Sequence, residues 1–206
     1  MTTFWITLLW VAVAYLLGGI PFGYLLVRFR RGSDIRKLGS GNTGATNVAR
    51  ASGWTDGLIT LLLDAAKGYL AVTVAALLTH GNLGFMALSA GSAVLGHVFP
   101  IYLRFRGGKG VATSVGVFFA LAALPTAAAL LIFLVILAIW RFVSLASVLA
   151  AASFPVLYFL IDYRRQPSLW ALLAAVFSSG LVILRHHENI KRLVLGTENR
   201  LSGLKK

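Results

Sequence analysis

The 206-residue chain contains no cysteine. That excludes disulfides, thiolate metal sites and an acyl-cysteine intermediate. Acidic residues are scarce. Asp34, Asp56, Asp64, Asp162, Glu188 and Glu198 are the full set, too scattered to suggest a multi-carboxylate metal cage. Charged residues make up only 12% of the chain, against about 25% in a typical soluble domain. Several motifs are missing too. There is no G-x-S-x-G elbow, no H-E-x-x-H, no Walker pattern, and no Asp five residues after a His. Serine hydrolase, zincin, nucleotide P-loop and soluble-type acyltransferase chemistry are therefore unsupported. The first apolar run, Phe4 to Ile20, lacks a basic leader and an A-x-A-like end, so it reads as a membrane span rather than a cleavable signal. With no long repeat, low-complexity tract or linker, residues 1–206 read as one integral-membrane domain.

What is present is grease and positive charge. The chain is 58% hydrophobic, with 19 Lys plus Arg and a net charge of +13, and a mean hydropathy of +0.84. Nucleic acid is not an expected partner, because nearly every element is apolar and no polar face remains for a duplex. A hydrocarbon core of about 30 Å needs about 20 apolar residues in a helix. Phe4–Val27, Leu58–Thr79, Leu83–Leu103, Phe142–Ile161 and Leu169–Leu184 supply candidate spans. Val111–Trp140 is too long for one simple span and contains Pro125. It is either one kinked helix, giving six spans, or two short helices around a turn at Pro125, giving seven. Seven spans place 16 of the 19 cations on one side, as short cytoplasmic loops require. The expected fold is thus an all-α polytopic helix bundle of seven transmembrane helices, some short. Its N-terminus lies outside and its C-terminus in the cytoplasm. The weak segment is Val111–Leu124, about 21 Å long at 1.5 Å per residue.

Two polar stretches interrupt the grease. The first is Gly39-Ser40-Gly41-Asn42-Thr43-Gly44-Ala45-Thr46-Asn47, followed by Arg50. The second is Gly96-His97-Val98-Phe99-Pro100, running on to Arg106-Gly107-Gly108-Lys109-Gly110-Val111-Ala112-Thr113. Glycines let backbone N–H groups converge on an anion, and a helix start favours one, so both stretches are expected to bind phosphate. Asp64 and Lys67, three apart on one helix, can pair, and ionisable groups at membrane depth are expensive enough to suggest a role beside a site. His97 alone fits a hydrogen-bonded structural residue, and Ser144 alone fits a helix cap. His186 and Asn189 share a helical face if the last span continues.

Together these segments resemble the signatures of the bacterial integral-membrane glycerol-3-phosphate acyltransferases that use acyl phosphate. The match starts at Gly18-Gly19-Ile20-Pro21-Phe22-Gly23 and takes in both polar stretches and Asp64-Ala65-Ala66-Lys67-Gly68. It continues through Val143-Ser144-Leu145 to His186-His187-Glu188-Asn189-Ile190, in order along the chain. Arg106 stands where the family carries Lys, and His187 where it carries Arg. The resemblance implies a seven-span fold in the bacterial cytoplasmic membrane, with the active site facing the cytoplasm. It implies acyl transfer from a long-chain acyl phosphate to the sn-1 hydroxyl of glycerol-3-phosphate, giving lysophosphatidic acid and inorganic phosphate. It implies no metal, no cofactor and no acyl-enzyme. Membrane lipid is a partner, and the enzyme that makes acyl phosphate is a candidate one.

On this resemblance Ser40, Arg50, Lys109, His186 and Asn189 are expected to hold glycerol-3-phosphate. Gly41, Asn42, Thr43, Gly44, Asn47, Arg106, Gly107, Gly108, Gly110, Thr113 and Ser144 are expected to bind substrate phosphate. Asp64, Lys67 and His97 are expected to support them. Two other classes compete. A transporter of organic phosphate would also use buried charge and glycine-broken helices, but here the polar motifs cluster at one face. A non-catalytic scaffold leaves the glycine-rich loops unexplained.

Overall fold

The computed structural model describes residues 2–201, apart from the side chains of Thr2, Thr3 and Thr7. Lys205 and Lys206, counted above among the cytoplasmic cations, lie outside the described residues. The described residues form helices and no strand: α1 (Thr2–Gly19), α2 (Phe22–Arg31), α3 (Ala45–Ser52), α4 (Trp54–Leu78), α5 (Leu83–Val98), α6 (Val111–Leu121), α7 (Ala123–Trp140), α8 (Val143–Tyr158), α9 (Leu169–Arg185) and α10 (His187–Val194). The described residues fall into two compact units, divided after Leu121.

Local chemistry sets the helix ends. The Asn82 side chain caps α5 by accepting from the N–H groups of Gly84 and Phe85, and Ser168 caps α9 through the Ala171 N–H. Each cap satisfies a donor that the first turn leaves unpaired. Pro21 lacks an N–H, so the first apolar stretch breaks at Ile20-Pro21 into α1 and α2. Pro155 sits inside α8, whose last turn widens into a π turn at Phe159–Tyr163.

In the first unit α1 packs on α5, and α4 packs on α3, α5 and α6. Glycine allows the tightest approaches. A Cβ at Gly18 would collide with the Ala93 backbone, and one at Gly116 with the Ala65 carbonyl. Polar stitches are few and long-range. Trp10 donates its indole N–H to the Ala71 carbonyl at 3.0 Å, and the Tyr15 hydroxyl donates to the Phe99 carbonyl at 2.6 Å. In the second unit α8 packs between α7 and α9.

The outer surface is apolar. Leu77, Leu131, Ile139 and Leu184 are among many large side chains more than 60% exposed, as a helix facing lipid requires. Among the described residues, five stretches are long and apolar enough to cross a membrane: Phe4–Arg31, Trp54–Leu78, Leu83–Leu103, Ala123–Trp140 and Val143–Tyr163. Leu169–Arg185 and His187–Val194, bent by 56° at their junction, meet the same length and composition when taken together as one span.

Two expectations about the middle of the chain are corrected. The break falls at Ala122, and Pro125 occupies the first turn of α7, where its missing N–H costs nothing. Hence α7 is a full 18 residues, whereas α6 is only 11. At 1.5 Å per residue α6 is about 16 Å long, half a hydrocarbon core.

Candidate active site

The first polar loop is built around Asn47. This buried side chain donates to the carbonyls of Asn42 (2.8 Å) and Leu38 (3.0 Å) and accepts the Ser40 N–H (2.9 Å). The Asn42 side chain accepts the Gly44 N–H at 2.8 Å, and the Gly41 N–H goes to Leu38 O at 3.0 Å. Gly39 and Gly41 have φ of +56° and +70°, left-handed turns that favour glycine. The N–H groups of Gly41 and Gly44 are therefore spent inside the loop. They shape it rather than converge on an anion. What faces outward is side chain: Ser40 and Arg50 are exposed, while Thr43 is buried.

The second stretch behaves similarly. The N–H groups of Gly107 and Gly108 donate back to the carbonyls of Val98 (3.2 Å) and His97 (3.1 Å). A Cβ at Gly108 would strike the His97 ring, so this glycine lets the strand of chain lie against the histidine. Gly110, at φ +88°, turns the chain into α6. The first-turn N–H groups of α6, including that of Thr113, have no intrahelical acceptor and remain able to face an anion. The Thr113 hydroxyl is fully buried and lacks a hydrogen-bond partner among the described residues. Lys109 is partly exposed and Arg106 exposed.

Between these stretches lies a buried charge cluster. Lys67 Nζ is 2.7 Å from Asp64 Oδ1, and both side chains are no more than 3% exposed. Lys67 also donates to the Ile20 carbonyl at 2.7 Å, a group left at the break between α1 and α2. His97 Nδ1 lies 3.7 Å from the same Asp64 oxygen, close enough to feel its charge but long for a hydrogen bond. Thr43, Asp64, Lys67, His97 and Pro100 line one narrow crevice with residues 19–23. Cations elsewhere in the first loop are pinned: Arg30 to Asp56 at 2.6 Å, and Arg31 to the Ser52 carbonyl at 2.9 Å. Ser52 and Asp56 are themselves hydrogen-bonded. Arg36 grips Asp34 with two nitrogens. That side-chain bond pulls the Asp34 pKa down to about 2.

In the second unit the chain bends at His186, which accompanies the α9-to-α10 kink. His186 is buried, its Nδ1 2.7 Å from the Val182 carbonyl, and Asn189 is buried one turn further on. Ser144 is the second residue of α8, not its cap. Its hydroxyl donates to Glu198 Oε1 at 2.9 Å. Asn189 Nδ2 donates to the same oxygen at 2.7 Å, and Arg192 Nε to Oε2 at 2.7 Å. Burial opposes ionisation of Glu198, but these donors outweigh it and hold its pKa below the ordinary glutamate value. Sequence reasoning missed Glu198. The available signal was that it is one of six acids in a chain of net charge +13, set in a basic tail.

Comparison with known proteins converges on one group. The family model described as glycerol-3-phosphate acyltransferase matches residues 8–196. The chain is 46% identical to the glycerol-3-phosphate acyltransferase of Syntrophotalea carbinolica over 98% of this chain and 100% of that one. It is 46% identical to that of Trichlorobacter lovleyi over 95% and 98%. Its fold is similar to the crystal structure of PlsY (YgiH), an integral membrane glycerol 3-phosphate acyltransferase, in its glycerol 3-phosphate form. The TM-score is 0.90 at 38% identity, with 97% of each chain covered. The lysophosphatidic acid form gives 0.86 at 36%, again over 97% of each.

Proposed function

The chain belongs to the glycerol-3-phosphate acyltransferase family, as a multi-pass membrane acyltransferase of the PlsY type, and on that premise we propose its donor, product and site. The donor is a long-chain acyl phosphate. The hydroxyl at sn-1 of glycerol-3-phosphate attacks its carbonyl carbon. The carbonyl–phosphate C–O bond breaks, and lysophosphatidic acid and inorganic phosphate leave.

The observation that carries this reading is the lack of a cysteine and of a serine-nucleophile motif in the sequence. The chain has no cysteine. Ser144 gives its proton to a carboxylate, and Ser147 gives its own to the Val143 carbonyl. An acyl phosphate brings its own leaving group, so the protein needs only to hold two phosphates and an acyl chain. Holding both reactants in line contributes up to about 7–11 kcal/mol, and fixed donors at the oxyanion and departing phosphate add to it.

Ser40, Arg50, Lys109, His186 and Asn189 hold glycerol-3-phosphate in this reading. Asn42, Thr43, Arg106 and the α6 start at Gly110–Thr113 face the acyl phosphate. Asn47, Gly41, Gly44, Gly107 and Gly108 act by shaping the two stretches. Asp64, Lys67 and His97 join the break at Ile20 to the second stretch. Residues 1–206 work as one domain with seven spans, α6 among them, with the N-terminus outside the bacterial inner membrane and the site facing the cytoplasm. The placement of 16 of 19 cations supports that topology.

Purified protein in liposomes, given palmitoyl phosphate, tests the reading. Phosphate release that requires glycerol-3-phosphate, with lysophosphatidic acid forming in step, is expected. Release without the acceptor, or flux of glycerol-3-phosphate without turnover, would replace it. A pH profile of His186→Ala separates the proton acceptors. A lost lower limb would make His186 the base; an unmoved profile would leave a substrate phosphate in that role.

A further inference from the structure

One face of α7 carries a groove. Leu134, Leu137, Ala138 and Arg141 follow one another at i, i+3, i+4 and i+7, so they form a single stripe along two turns. The tail of the chain closes one side. Leu201 lines the groove with them, and its N–H donates to the Arg141 carbonyl at 2.6 Å. The space is about 560 Å³ and opens outward.

The walls are apolar and the mouth is basic. Leu134 is 57% exposed and sits about 10 Å down the helix from Arg141, at 1.5 Å per residue. It belongs to a stretch long and apolar enough to cross a membrane. Trp140, a residue type that gathers where bilayer meets water, is half-exposed beside Arg141. The Arg141 guanidinium is exposed and makes no ion pair among the described residues. Arg200 lies 5.3 Å over the neighbouring Phe142 ring, likewise without a carboxylate. The acids of this unit are engaged or distant. Glu198 is held by Ser144, Asn189 and Arg192, Glu188 faces His187 at 3.4 Å, and Asp162 lies past the far end of α8.

An occupant must be apolar over two helical turns and anionic at one end. A soluble acidic peptide meets the second need but not the first. A second copy of the chain would bring its own net charge of +13 to two arginines that lack an acid. A lipid with an anionic headgroup meets both needs. A zwitterionic lipid brings the chain, but its amine cancels the charge of its phosphate.

We propose that this groove binds one anionic phospholipid of the bilayer. Its phosphodiester sits at Arg141 and Arg200, and an acyl chain lies against Leu134, Leu137 and Ala138. The site goes beyond the reaction proposed above and uses none of the residues assigned to it.

Native mass spectrometry of the detergent-purified protein tests this, with palmitoyl-oleoyl phosphatidylglycerol and phosphatidylcholine as probes. The unmutated protein should hold one phosphatidylglycerol at least about fivefold more tightly than phosphatidylcholine, the selectivity expected of one arginine at an anionic headgroup. Arg141→Gln should bring the two within about twofold, and Arg141→Lys should keep most of the preference. Arg165→Gln, which removes an exposed cation past the far end of α8, should leave it intact. Ala138→Phe should fill the groove and weaken both lipids by about threefold or more. Melting curves identify the variants that fold. Equal affinity for the two lipids in the unmutated protein overturns the inference without any variant. A preference that Arg165→Gln lowers as much as Arg141→Gln would reflect overall charge and overturns it too. Unchanged binding in Ala138→Phe would leave a headgroup contact with no groove, again overturning it. Kinetics separate a bilayer lipid from the acyl donor. Arg141→Gln should leave the KM for palmitoyl phosphate unchanged within about twofold. A rise of about fivefold or more would give the groove to the donor's chain and overturn the inference.

Discussion

Lys67→Met should destabilise the protein severely, and adding Asp64→Leu should repair most of the damage. At 2.7 Å and an effective dielectric constant of about 20, the pair's gross attraction is about 6 kcal/mol. Desolvation of both ions offsets much of that, so the pair itself is not a large net source of stability. Removing the lysine alone leaves Asp64 buried with only His97, 3.7 Å away, to offset its charge, at up to about 3–5 kcal/mol. It also removes one of the two donors to the Ile20 carbonyl, which keeps the Phe22 N–H at 3.1 Å, for about 1 kcal/mol or less. A loss of 3 kcal/mol in a chain this size lowers the melting temperature by about 6–12 °C. Exchanging both ions for apolar residues removes the buried charge and leaves the Ile20 carbonyl with the Phe22 N–H alone, so the double variant should melt well above the single one. Thermal melting of the four proteins of this cycle in one detergent reads the result. A double variant no more stable than Lys67→Met would refute the reasoning. So would a single variant melting within about 2 °C of the parent.

Other perturbations separate loop building from substrate contact. Asn47→Ala should cost about 2–3 kcal/mol, since the Asn42 carbonyl and the Ser40 N–H lose their partner and the Leu38 carbonyl keeps only the Gly41 N–H, and Asn47→Asp should do no better because it sets a carboxylate oxygen against those carbonyls; melting and proteolysis within residues 34–47 check both. Gly108→Ala should force the buried His97 ring to shift, at about 1–3 kcal/mol, with turnover falling alongside the melting temperature. Asp34→Asn should cost about 1 kcal/mol or less, because the Arg36 pair is partly exposed. The Asp34 pKa is lowered from 3.8 to about 2, so its contribution is complete above pH 3.8 and fades as pH falls through 2. The stability gap between variant and parent should close over that window.

Much of the fold was legible in hydropathy. The starts of α5 at Leu83 and α9 at Leu169 were read correctly because a polar cap precedes an apolar run. The Asp64–Lys67 pair followed from i, i+3 spacing. The division of the 111–140 stretch was read only approximately, since Pro125 looks like a breaker but is equally at home in a first helical turn. The site was less legible. Glycine density suggested anion-binding N–H groups, yet the carbonyls of Leu38, His97 and Val98, together with the side chains of Asn42 and Asn47, claim several of them. Composition cannot show which N–H groups are already spent. Lys67 meets a carbonyl 47 residues away and Ser144 a carboxylate 54 residues away. Neither pairing leaves a local pattern, because each is a product of helix packing.

The most direct test of the account is the origin of the transferred chain. Proteoliposomes holding the purified protein would receive glycerol-3-phosphate with equal palmitoyl phosphate and heptadecanoyl-CoA, and the lysophosphatidic acid formed would be weighed by mass spectrometry. The account predicts a palmitoyl product alone, with one inorganic phosphate released for each. A heptadecanoyl product, or palmitoyl transfer without phosphate release, would contradict it.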